Sequence, residues 1–147
     1  MQPVRENRHK ETMTIDIEYK ETKDFTKADV ETLFLSVDWL SGRYPDRLLK
    51  ALKQSSYVLT AWHDGVLVGL LRVLDDGCMT AFLHYLLVRP EYQGMGIAFR
   101  MLEQAKERYR DYLYFDLMPD EKSNVSFYTR HGFEVLENGT AMQIRHL

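Results

Sequence analysis

A single cysteine, Cys78, stands in a chain of 147 residues. No internal disulfide can form, and a reducing compartment, the cytoplasm, is expected. Cys78 lies in an apolar stretch and reads as buried filler rather than a reactive thiol. Long apolar runs are missing, so no segment is expected to span a membrane. The first residues are polar and charged and lack the apolar centre of a signal peptide. Residues 1–13 therefore read as a disordered arm ahead of one domain over 14–147. An excess of positive charge is missing too. The net charge of −3 gives no sequence-wide attraction to nucleic acid or to an anionic membrane surface, and neither is expected as a partner. Repeats, low-complexity tracts and linkers are absent. What remains is ordinary globular composition, 45% hydrophobic and 28% charged, in a length that suits one domain.

Periodicity places the elements. Thr14 to Lys20 alternates apolar and polar residues, as a half-buried strand does. Thr26 reads as an N-cap, with Val30, Leu33, Phe34 and Val37 following at helical spacing. Asp38 to Tyr44 reads as a loop, and Pro45 opens a second short helix. Three strands follow in close succession. Tyr57–His63 and Val66–Leu74 flank Asp64-Gly65, a hairpin signal. Met79–Val88 is nearly all apolar, which implies burial on both faces. Ala98, Met101, Leu102, Ala105 and Tyr109 mark one face of a long helix. Tyr112–Leu117 reads as a strand and Ser123–His131 as a short helix ending at Gly132. Phe133–Leu136 and Ala141–Arg145 read as a last hairpin around Asn138-Gly139. This order predicts a mixed α/β, α+β-like domain with helices on both faces of one sheet.

Between the apolar strand and the long helix runs Val88-Arg89-Pro90-Glu91-Tyr92-Gln93-Gly94-Met95-Gly96-Ile97-Ala98. Two glycines let the backbone turn tightly and approach a ligand closely. The helix behind them offers unpaired N–H groups and the positive end of its dipole, a combination that binds phosphate. A nucleotide-like cofactor held by its pyrophosphate is the expectation. A P-loop would need Gly-Lys-Ser or Gly-Lys-Thr, which does not occur. A dinucleotide fold wants Gly or Ala where Phe99 stands, and an early strand before the loop where this chain has a meander.

Gln93-Gly94-Met95-Gly96-Ile97-Ala98 resembles the Gln/Arg-x-x-Gly-x-Gly/Ala signature of the GNAT superfamily of acetyl-CoA-dependent N-acetyltransferases. Phe127-Tyr128-Thr129-Arg130-His131-Gly132-Phe133 resembles that family's Phe/Leu-Tyr-x-x-x-Gly-Phe segment. A helix and a strand separate the two, as in the family, and the resemblance runs from Thr14 to Leu147. It implies a mostly antiparallel sheet. It also implies that Gln93 and the N–H groups around Gly94, Met95, Gly96, Ile97 and Ala98 hold the pyrophosphate of acetyl-CoA (coenzyme A). The backbone of Leu86, Leu87 and Val88 takes the role of pairing with the pantetheine arm, and an N–H there could hold the thioester oxygen as it becomes an oxyanion. Tyr128 takes the position of the acid that protonates the departing thiolate. Asn124, four residues earlier and on the same helix face, looks like the cofactor-contacting asparagine of glucosamine-phosphate N-acetyltransferases.

The base is less defined. Met79–Val88 holds no carboxylate, where many relatives carry a glutamate. His84 and Tyr85 are its titratable side chains besides Cys78 when the reading is widened by one residue. A histidine near pKa 6.5 suits base work at neutral pH, and alternation puts one of the pair on each face. Ordered water could equally relay the proton. Asp38, Trp39 and Tyr44 fall in the loop that lines the acceptor pocket in the family, where an acid beside aromatics suits a cationic amine. No metal site is indicated. The resemblance implies acetyl transfer by direct attack of a primary amine, expected to be a small-molecule amine acceptor. The alternatives are a protein or peptide N-acetyltransferase and a non-catalytic acyl-CoA-binding protein. A homodimer, with the final strands pairing between copies, is the expected form of any assembly.

Overall fold

The computed structural model describes residues 15–147, so the predicted arm over 1–13 lies outside the described residues. Five strands form one sheet in the order β1-β2-β3-β4-β5. They are β1 (Glu18–Lys20), β2 (Tyr57–His63), β3 (Val66–Asp75), β4 (Thr80–Val88) and β5 (Tyr114–Leu117). The first four run antiparallel in a meander, and β5 joins β4 in parallel. The helices are α1 (Lys27–Ser36), α2 (Pro45–Gln54), α3 (Ile97–Arg108) and α4 (Val125–Arg130).

Two buried clusters show the layers. On one face α1 and α2 bring Val30, Leu33, Phe34, Leu48 and Leu52 against Val58, Leu70 and Leu87 of the sheet. On the other, α3 and α4 bring Ile97, Met101, Leu102, Phe127 and Tyr128 against Leu71, Val73, Leu83 and Leu86. The predicted sheet with helices on both faces is therefore the observed one. Local signals set the element ends. The Thr26 hydroxyl accepts from the Asp29 N–H at 3.2 Å, and the Asp29 carboxylate accepts from the Thr26 N–H at 2.9 Å, a reciprocal cap that starts α1. Pro45 occupies the first turn of α2, where its missing N–H costs nothing.

Gly69 of β3 fixes the depth of α3. A Cβ there would stand 3.2 Å from Met101 Cε and 3.3 Å from Ile97 Cγ2 and Ala61 Cβ, so a larger residue would push the helix start or its side chains outward by a few tenths of an ångström. At the other end of that layer, His131 and the Glu103 carboxylate of α3 meet at 2.6 Å, which ties α4 to α3.

The structure corrects several expectations. Cys78 is exposed, not buried in a strand. The Asp76 carboxylate accepts from the N–H groups of Cys78, Met79 and Thr80, which prolongs the turn and delays β4 to Thr80. β4 is not buried on both faces, since His84 is exposed and Phe82 half-exposed. β1 pairs only from Glu18, shorter than the predicted strand. Among the described residues no strand follows β5. The turn at Asn138-Gly139 forms, with the Gly139 N–H donating to the Leu136 carbonyl at 3.0 Å. Its two arms do not pair, and Val135, Leu136, Met142 and Ile144 lie exposed.

Candidate functional site

β4 gives up its ladders in two places, and the candidate residues gather there. The first break is toward β5. That pairing ends at Leu83↔Leu117, whereas pairing with β3 continues through Leu86↔Leu71 and Leu87↔Leu70 to Val88↔Gly69. From His84 onward β4 therefore has a strand neighbour on one side only. Half of the backbone groups of such a segment point to the vacated side.

The second break is toward β3. Arg72 pairs with Tyr85 and Val73 pairs with Leu83, so His84 has no opposite residue. This extra residue is a β-bulge, which re-aims side chains. Strict alternation predicts His84 and Tyr85 on opposite faces. The bulge instead brings their ring centroids within 4.3 Å on the α1/α2 face. Tyr85 packs edge-on against Phe34 at 4.9 Å and lies 6.0 Å from Trp39. Its hydroxyl shares a 2.8 Å hydrogen bond with Ser41, fixing the α1–α2 loop over the strand.

Arg72 Nη1 lies 2.5 Å from His84 Nδ1. A guanidinium only donates, so Nδ1 accepts and the ring proton of neutral His84 sits on Nε2. Poor hydration in the cleft, and then the charge of Arg72, hold the imidazole down to about 4, while the Asp120 carboxylate pulls the other way. His84 thus presents an N–H to the cleft at neutral pH. A base needs a lone pair there, so this geometry weighs against the role sequence reasoning gave it.

Beyond Val88 the chain makes a 3-10 turn over Pro90–Tyr92 and enters α3. The Gln93 side-chain amide donates to the Val88 carbonyl at 3.1 Å, so Gln93 straps the turn to β4. Tyr92 adds a 2.6 Å hydrogen bond to His63 Nδ1. Gly94 and Gly96 have φ of +81° and +80°, conformations that suit glycine. Gly96 is the N-cap of α3 and brings no capping side chain. Among the described residues, the backbone N–H groups of Gly94, Met95, Gly96, Ile97 and Ala98 find no backbone or side-chain acceptor. Five consecutive amides without acceptors stand at the positive end of a twelve-residue helix, an arrangement whose chemistry suits an anion.

Tyr128 and Asn124 sit one turn apart in and before α4, 3% and 2% exposed. Burial, and then the charge of Asp120, push the Tyr128 phenol well above its ordinary value, so it stays protonated and can donate. Tyr128 also lines a groove of about 1130 Å3 along β5 and the C-terminal segment. That groove takes neither the glycine turn nor the His84 cluster. It is the gap left beside the second edge of β5.

Of the loop residues, the structure brings Trp39 to the Tyr85 cluster but not the other two. Asp38 points to solvent, 3.7 Å from Arg43, and Tyr44 packs near Arg47 at the start of α2. Two residues escaped sequence reasoning. Asp120 acts electrostatically on both His84 and Tyr128, and its loop carries no sequence signal. Arg72 did carry one: it is the lone charge within Val66-Leu67-Val68-Gly69-Leu70-Leu71-Arg72-Val73-Leu74.

Residues 18–133 match the sequence model of the Acetyltransferase (GNAT) family. The chain belongs to this family. The GNAT fold is equally clear from solved structures. A GNAT-family acetyltransferase of Streptococcus pneumoniae superposes with a TM-score of 0.77 at 28% identity, over 89% of this chain and 98% of that one. A probable acetyltransferase from methicillin-resistant Staphylococcus aureus gives 0.79 at 19% identity, over 89% and 100%. A ribosomal-protein-alanine N-acetyltransferase from Brucella melitensis gives 0.61 at 20% identity, over 90% and 100%. A search of curated proteins found no significant match. As a GNAT member the chain is an acetyltransferase. Among the described residues no helix is long and apolar enough to cross a membrane.

Proposed function

We propose that this GNAT protein transfers acetyl from acetyl-CoA to the primary amine of a small molecule, in the cytoplasm. The observation that carries the proposal is the run of five acceptor-free amides from Gly94 to Ala98 at the start of α3. They suit a diphosphate, because several converging N–H donors replace the water an anion gives up. Gln93 holds that turn in place through Val88. The one-sided edge of β4 at Leu86 and Leu87 suits an extended amide-containing arm that adds like a strand, with Val88, whose carbonyl accepts from Gln93, at its end. Asn124 adds a buried polar contact on the far side of the cleft.

Acetyl-CoA supplies an acyl group already activated as a thioester. The chain orients that group for direct attack by the amine, and Tyr128 donates its phenolic hydrogen to the sulfur that departs. A thiol near pKa 8.5 leaves readily, so this donation needs only to stabilise the thiolate. A backbone N–H of the β4 edge faces the carbonyl oxygen as charge develops on it. With the His84 lone pair engaged by Arg72, water in the cleft carries the amine's proton to solvent. Trp39 walls the acceptor pocket, with Asp38 and Tyr44 at its rim. The acetyltransferase domain spans 14–147. The exposed Val135, Leu136, Met142 and Ile144 beside the free edge of β5 support a homodimer built by strand addition.

Titration calorimetry of the full chain with acetyl-CoA, followed by thiol release across a panel of amines, tests this reading. Saturable binding and release dependent on a small primary amine are expected. Failure of folded protein to bind acetyl-CoA or CoA would overturn it, and turnover confined to peptide amines would replace the acceptor class.

A further inference from the structure

Arg72 is a charge in the wrong company. It is 8% exposed, in the middle of a three-layer sandwich, and buried cations are rarely left without an acid. Its neighbours are all neutral. Nε donates to the Ser55 hydroxyl at 2.8 Å, Nη1 donates to His84, and the guanidinium lies 5.1 Å from the Tyr85 ring centre. Ser55 in turn donates to the Ala51 carbonyl in the last turn of α2, so the negative end of that helix offsets part of the charge. Among the described residues no Asp or Glu lies within 4 Å of it. Nη2 has no hydrogen-bond partner, yet no buried side-chain nitrogen or oxygen lacks one, so the Nη2 edge meets solvent. The guanidinium lies at the β4 bulge with His84 and Tyr85, and Tyr85 in turn contacts Trp39 and Ser41 of the α1–α2 loop.

We infer that the acceptor amine carries a carboxylate or phosphate, and that this oxyanion docks on the outward edge of Arg72. The inference rests on the function proposed above and narrows its substrate class. A planar guanidinium suits an oxyanion through paired N–H donors, in a way an ammonium does not. A purely structural Arg72, capping the end of α2, would need only a positive charge and would leave acceptor choice untouched. The depressed His84 basicity is consistent with the arrangement, because a neutral imidazole tolerates the adjacent guanidinium until an anion arrives.

The test compares matched acceptors with the full-length wild type. Amino acids are set against their amides, and ethanolamine phosphate against ethanolamine, at fixed saturating acetyl-CoA. At least one pair should favour its anionic member by tenfold or more in kcat/KM, mostly through KM. Which pair does so separates carboxylate from phosphate. At saturating acetyl-CoA, which keeps the amide turn filled, inorganic phosphate or sulfate should still compete with the acceptor. Arg72→Lys should cut the preference at least fivefold and Arg72→Gln should abolish it. Equal or better use of every neutral member by the wild type overturns the inference, as does an undiminished preference in folded Arg72→Lys. Where a variant fails to fold, the wild-type pairs and the anion competition decide. Acetylation of neutral amines without preference sinks this inference alone, whereas absence of acetyl-CoA binding sinks the function beneath it.

Discussion

Acid should destabilise this protein partly through one histidine. His84 ordinarily titrates near 6.5 and here near 4, for lack of hydration and because Arg72 donates to its Nδ1. Between those values the unfolded chain binds a proton that the folded chain refuses. Stability therefore rises with pH across that window. The contribution is intact above pH 6.5 and is lost as pH falls toward 4. In a sealed site the loss from pH 7.5 to 4.5 would be about 2.5 kcal/mol. His84 is exposed to water over more than a third of its surface, and screening reduces the expectation to about 1 kcal/mol. The perturbation is His84→Gln, whose amide oxygen can still accept from Arg72 but never titrates. Urea unfolding of both proteins at constant ionic strength, from pH 7.5 to 4.5, isolates the difference, because every other group is common to both. The wild type should lose about 1 kcal/mol more than the variant. Superimposable curves would refute the reasoning, and so would an NMR titration placing His84 at or above 6.5.

Gly96→Ala tests the amide turn without a steric complication, since a Cβ there meets nothing within 4 Å while φ is +80°. The left-handed strain of about 1–2 kcal/mol should lower Tm by a few degrees. Calorimetry should show acetyl-CoA binding weakened by roughly tenfold as the amides reorient, and unaltered binding with unaltered Tm would count against the turn. Tyr128→Phe should reduce kcat by roughly 10- to 100-fold, the low end for proton donation because a thiolate leaves well. KM for acetyl-CoA should hold within about threefold when only transition-state contact is lost. Equal kcat in a stopped-flow thiol assay removes Tyr128 from the chemistry.

What could be read from the sequence was what neighbouring residues decide among themselves. Thr26 and Asp29 cap each other, Asp64-Gly65 closes its hairpin, and the glycine turn is followed at once by the helix that makes it useful. The layered sheet follows from such elements. The arrangement around His84 could not be read this way. The bulge depends on Val73 choosing Leu83 across the sheet, and one skipped residue overturns the alternation that separates His84 from Tyr85. Arg72 was visible as a charge among aliphatics, but its neighbours come from α2 and β4, far along the chain. Asp120 gave no sign at all. The C-terminal hairpin failed for a related reason. Its turn is local and forms, but strands need an edge to pair with, and alternation in Ala141–Arg145 says nothing about which edge that is.

The two breaks in β4 have a common consequence. A strand with full ladders on both sides has no backbone group to offer a ligand, and its side chains alternate into closed layers. β4 is closed along Ala81, Phe82 and Leu83, where β3 and β5 both hold it. One residue later it loses β5 and gains the bulge, so a vacated backbone edge and a displaced pair of rings appear at the same level of the sheet. The amide turn lies at the end of the same strand. An acyl carrier gripped at Gly94–Ala98 and laid back along β4 would bring its reactive end to the bulge, where Arg72, His84 and Trp39 shape the acceptor side. That alignment follows from strand direction alone, so moving the bulge should redirect acceptor choice while leaving the grip on the carrier intact. Deleting His84 to restore regular pairing is the sharpest form of that change, since it closes the bulge and leaves residues 94–98 untouched. Acetyl-CoA affinity should persist within about threefold while turnover of every acceptor falls steeply. Loss of both together in folded protein would mean that the strand and the turn are not separable parts.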